Sequence, residues 1–80
     1  MTLNEAIKKR ILELVEERNI SLTSLCLNSN LTPSTLFEFM YKKTKFPTII
    51  TIKKICYGAG ITLEEFFSPS YFNDFDDVVK

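Results

Sequence analysis

The chain contains no histidine, and its two cysteines, Cys26 and Cys56, stand 30 residues apart with no CxxC pair. A metal centre therefore lacks ligands, and a thiol nucleophile lacks its usual base. The two thiols read as reduced, small apolar side chains in helical surroundings. No glycine-rich loop is available to cradle a phosphate and no nucleophile is paired with a base, so neither an enzyme nor a cofactor site is expected. The adjacent carboxylates Glu64-Glu65 and Asp76-Asp77 read as capping and solubility devices. No apolar run approaches the roughly 18 residues of a membrane span. No basic stretch followed by an apolar one opens the chain, which predicts a cytoplasmic protein without membrane contact.

What is present fits one small folded domain: 80 residues, 45% of them hydrophobic and 25% charged. A single core of this size yields only on the order of a few kcal/mol, so a partner is expected to help. The net charge of zero hides a segregation. Residues 1–40 carry four basic and five acidic side chains, residues 41–54 carry five lysines and no acid, and residues 55–80 carry five acids against Lys80. Any nucleic-acid surface is therefore local, around Lys42, Lys43, Lys45, Lys53 and Lys54.

Apolar periodicity and caps predict five helices and no strand. Thr2 and Glu5 form a capping-box pattern ahead of Leu3, Ile7, Ile11 and Leu14, which recur at helical spacing over residues 3–18. Lys8, Lys9 and Arg10, interleaved with glutamates, read as ordinary surface charge. Ser21 caps a short helix over 22–28, and "NSN" at 28–30 reads as a turn, because Asn tolerates left-handed backbone. Thr32 and Pro33 start a third helix over 33–41, with Thr32 as cap. Pro47 and Thr48 precede a fourth helix over 49–59 ended by Gly60, and Thr62 with Glu65 starts a short fifth one. The expected domain is 1–68, followed by an acidic, aromatic tail over 69–80 whose Tyr71, Phe72 and Phe75 are too many for a solvated tail, so that it either packs back on the domain or pairs with another copy.

Residues 21–67 resemble the Cro/CI-type helix-turn-helix family, also called the XRE family of bacterial and phage regulators. The resemblance is carried by Leu25-Cys26 in place of a Leu-Ala pair, by Leu31-Thr32 with Ser34-Thr35-Leu36, by Pro47-Thr48, by Gly60-Ile61-Thr62 and by the "LEEFF" ending, all in register. Asn30 stands where the family has a turn glycine, and Met40 and Lys42 depart from a frequent Glu and Gly. The resemblance implies an all-α, five-helix, lambda-repressor-like DNA-binding domain, with a helix-turn-helix at about residues 22–41. It further implies a repressor-like transcription regulator that binds double-stranded DNA, commonly as a homodimer.

On the third helix Leu36, Phe39 and Met40 make one stripe, and Ser34, Phe37, Glu38 and Tyr41 make another. The resemblance turns the second stripe to the major groove, giving Pro33, Ser34, Phe37 and Glu38 as base-contact candidates. Thr23, Thr35, Tyr41, Lys42, Lys43, Thr44 and Lys45 are the candidates for the phosphate backbone. The outward stripe has no Arg, Lys, Asn or Gln for bidentate contacts to purines. Two readings therefore stay open: a DNA regulator, or a protein-interaction module such as an antirepressor or toxin-antitoxin component with a protein partner. Phe66, Phe67, Tyr71, Phe72 and Phe75 are the candidates for an interface between two copies.

Overall fold

The computed structural model describes residues 1–42 and 46–74. Its helices are α1 (Leu3–Arg18), α2 (Leu22–Asn28), α3 (Pro33–Tyr41), α4 (Ile49–Ala59) and α5 (Leu63–Phe66), followed by a 3-10 turn over Ser70–Asn73. No strand occurs among the described residues, and no helix among them is long and apolar enough to cross a membrane.

The helix starts are set by local hydrogen bonds that the sequence announces. At α1 the Thr2 hydroxyl accepts from the Glu5 amide at 3.2 Å, while Glu5 Oε1 accepts from the Thr2 amide at 2.9 Å. The same reciprocal pair recurs at α5 between Thr62 and Glu65, at 3.0 and 3.2 Å. Ser21 and Thr48 cap α2 and α4 by accepting from Ser24 and Thr51 amides. Thr32 departs from expectation: it precedes α3 in extended backbone, but its side chain makes no cap bond to an amide. Its hydroxyl lies 2.7 Å from the Thr35 hydroxyl instead, and this contact occupies it.

Three helices end the same way. Asn19, Asn30 and Gly60 adopt left-handed backbone, with φ of 54°, 57° and 73°. In each case the next amide reaches back five residues, Ile20 to Val15, Leu31 to Cys26 and Ile61 to Cys56, at 3.1, 2.9 and 3.0 Å. These bonds satisfy carbonyls that a helix end otherwise leaves unpaired. Ile20, Leu31 and Ile61 also pack against the core, so each stop doubles as a core anchor. The middle one is the turn between α2 and α3, which fixes how α3 leaves the core.

The buried apolar side chains come from every helix: Ile7, Ile11 and Leu14; Leu25 and Cys26; Leu36, Phe39 and Met40; Ile52, Ile55, Cys56 and Ala59; and Phe66. Burying each large one contributes roughly 1.5–3 kcal/mol. Both cysteines are buried free thiols, and burial pushes both thiols above the usual cysteine range. They are core residues of low reactivity.

Two arginines tie distant helix ends together. Arg10 is buried rather than a surface charge: its Nε donates to the Phe66 carbonyl at 2.8 Å and its Nη2 to the Glu65 carbonyl at 2.9 Å. Glu13 lies 3.6 Å from its Nη1 and balances the charge. Its fork meets two carbonyls at the end of α5, a helix of only four residues with little stability of its own. Arg18 Nε does the same for the Ala59 carbonyl at the end of α4.

The 3-10 turn over Ser70–Asn73 packs back against α1. The Phe72 ring lies 5.0 Å from that of Phe67 and 5.9 Å from that of Phe66, and the Tyr71 hydroxyl donates to Glu13 Oε1 at 2.6 Å. Lys9 Nζ sits 4.7 Å above the Tyr71 ring. Tyr71 and Phe72 are thus spent on α1 and α5. Residues 75–80, with the acids Asp76 and Asp77, lie outside the described ones.

Candidate nucleic-acid interface

α3 is held by one face and open on the other. Leu36, Phe39 and Met40 are buried at 1%, 4% and 8% exposure, as the helical period requires. The opposite side carries Ser34, exposed, Phe37 and Glu38, both half-buried, and Tyr41, 70% exposed. Pro33 is half-buried at the first helical position, and Thr35 is exposed on the flank. The structure therefore groups all four base-contact candidates on one helix and around its open side.

Four of the backbone-contact candidates, Thr23, Thr35, Tyr41 and Lys42, fall among the described residues. Thr23 is exposed in the first turn of α2. Lys42 is exposed just past α3, where its amide donates to the Glu38 carbonyl at 2.9 Å and closes the last turn. Lys43, Thr44 and Lys45 lie outside the described residues. Thr35 is not fully free, since its hydroxyl faces that of Thr32.

Three features were not foreseen from sequence. The Phe37 and Tyr41 rings stack on each other, with centroids 5.8 Å apart and planes 18° from parallel. Their i, i+4 spacing was the visible signal. A groove beside Glu38, between α3 and α4, is lined by Thr35, Phe39, Phe46, Pro47, Thr48 and Thr51. Phe46, which lines that groove and is 68% exposed, is an apolar side chain directly before a proline.

Chemically, the open side of α3 offers a hydroxyl that both donates and accepts, a carboxylate that only accepts, and a stacked aromatic pair. Among the described residues no group of three or more His, Cys, Asp or Glu side chains is placed to hold a metal ion. The interface candidates fare unevenly. Phe66 is 0% exposed inside the domain's own core, so it is withdrawn from any surface between copies; Phe67, Tyr71 and Phe72 are half-buried, and Phe75 lies outside the described residues. α4 carries three of the exposed large apolar side chains, Ile49, Ile50 and Tyr57, at 59%, 67% and 80%.

Comparison with known proteins places this geometry. A family model described as a Cro/C1-type HTH DNA-binding domain matches residues 10–70, which include all of α2, the turn, α3, α4 and α5. No curated protein matches the chain. Among solved structures, the crystal structure of the prophage Lp1 protein 11 is similar, with 28% identity, a TM-score of 0.81, and 92% of this chain and 97% of that one covered.

Proposed function

This chain belongs to the Cro/C1-type helix-turn-helix DNA-binding family, and from that premise we propose that it is a sequence-specific, repressor-like regulator that sets α3 in the major groove of its operator. The observation that carries the reading is the family match across residues 10–70, which spans the whole helix-turn-helix pair. α3 supports it by keeping Ser34, Phe37, Glu38 and Tyr41 off the core.

In this reading Pro33, Ser34, Phe37 and Glu38 face base edges. Thr23, Thr35, the Tyr41 hydroxyl, Lys42, Lys43, Thr44 and Lys45 hold phosphates, and the lysines add affinity by releasing counterions. The acidic stretch after residue 55 stays away from the duplex by charge. Regulation is by occupancy, in which the bound protein blocks polymerase access. Two copies act together, because one module of this size buries little surface and two-fold operators match two-fold proteins.

Selection of duplexes from a random library tests this. The expected outcome is enrichment of an inverted repeat whose half-sites lie about 34 Å, or a multiple of it, apart. Unchanged library composition after several rounds contradicts the specific-regulator reading, and a single unrepeated half-site contradicts the homodimer.

A further inference from the structure

The open side of α3 carries no side chain that can make the bidentate contacts by which guanine and adenine are usually read, since Arg, Lys, Asn and Gln are all absent from it. The discrimination available to it must come from what the side chains there can sense. A carboxylate accepts only, so Glu38 is matched by an exocyclic amino group and opposed by the keto oxygens and ring nitrogens that dominate the groove edge. The apolar feature of the major-groove edge is the C5-methyl group of thymine.

Phe37 and Tyr41 have the form such a group needs. Their rings are one turn apart and stacked, with centroids 5.8 Å apart and an 18° angle between planes. Tyr41 is 70% exposed, so the stack is not a by-product of core packing. Each ring restricts the other, and a side chain ordered before docking loses less entropy when a ligand arrives.

The geometry points to Phe37, held in place by the Tyr41 ring, as a reader of pyrimidine C5-methyl groups, through which the protein selects thymine at one position of each half-site. Phe37 makes the contact. Tyr41 is a positioning residue whose ring braces Phe37 while its hydroxyl remains free to reach a phosphate. The inference rests on the DNA-regulator reading above and adds to it which base feature is sensed.

The test uses the duplex selected from the random library, prepared with thymine and again with uracil, which differs only by the lost methyl. The wild-type protein is expected to bind the uracil duplex about fourfold more weakly for each methyl that Phe37 covers. F37A is expected to bind both duplexes alike. Y41A, a substitution at an exposed site, is expected to shrink the thymine preference, and Y41F to restore it because the ring is kept. Circular dichroism checks that each variant is folded. Equal binding of the two duplexes by the wild type, or an undiminished thymine preference in folded F37A, overturns the inference while leaving DNA binding intact. Negligible binding of every duplex overturns the regulator reading and this inference with it.

Discussion

Gly58 in α4 lies so close to Ser29 at the end of α2 that a Cβ added to it falls 2.1 Å from the Ser29 Oγ and 2.8 Å from the Ser29 amide nitrogen. The hydroxyl could turn away, but the backbone can move only if α2 separates from α4. The glycine therefore sets the distance between these two helices, and through α2 and its turn it sets the position of α3.

Gly58→Ala is expected to destabilise the domain by about 1–3 kcal/mol, the usual cost of forcing extra volume into a packed site. Helix propensity alone argues the other way, favouring alanine by about 1 kcal/mol. Urea denaturation decides between them: a variant as stable as the wild type, or more so, removes the close approach from the account. The expected variant also binds the selected duplex more weakly, because α3 is displaced.

Arg10 is expected to be among the least replaceable polar side chains, since it is buried and serves two carbonyls of α5. Arg10→Ala should cost on the order of 3 kcal/mol, leaving two carbonyls and Glu13 without their cation. Arg10→Lys should recover only part of this, because an ammonium cannot reproduce the fork. Full recovery by lysine in thermal melts indicates that charge alone matters and that the paired geometry does not.

The Tyr71 phenol carries a pH dependence. Partial burial raises its pKa above the ordinary value of 10.0, and its bond to Glu13 raises it further. A raised folded-state value stabilises the fold fully below the unfolded value, near 10.0, and this contribution is lost as pH climbs from there through the folded value. Stability followed from pH 8 to 11, all in about 1-unit steps, should show wild type falling toward Tyr71→Phe above the ordinary tyrosine pKa. Two parallel curves indicate that the Tyr71–Glu13 bond does not persist in solution.

Much of this architecture is legible in the sequence, because its helix ends are written locally. The Thr2–Glu5 and Thr62–Glu65 boxes, Pro33 and Gly60 each act within one turn, and they set the helix limits to the residue. The division of α3 into a buried and an open stripe follows from its period alone. What escaped depends on contacts between residues far apart in the chain. Arg10 looked like surface charge because it follows Lys8 and Lys9 on a helix that also carries glutamates, and only segment 65–66 explains its burial. The aromatic content of the tail allowed that Tyr71 and Phe72 pack back on the domain, but without a period it did not say that they dock on α1 and α5. Gly58 is visible as a helix glycine, but the Ser29 that demands it is not.

Duplex affinity measured across a salt series shows whether α3 and the lysines after it form a DNA-binding surface. Such a surface gives a steep linear fall of log affinity with log salt, close to one unit of slope for each phosphate neutralised. Changing Lys42, Lys43 and Lys45 together to alanine is expected to reduce that slope by up to about 3. A binding curve that does not respond to salt, or a slope unchanged in the triple variant, contradicts such a surface.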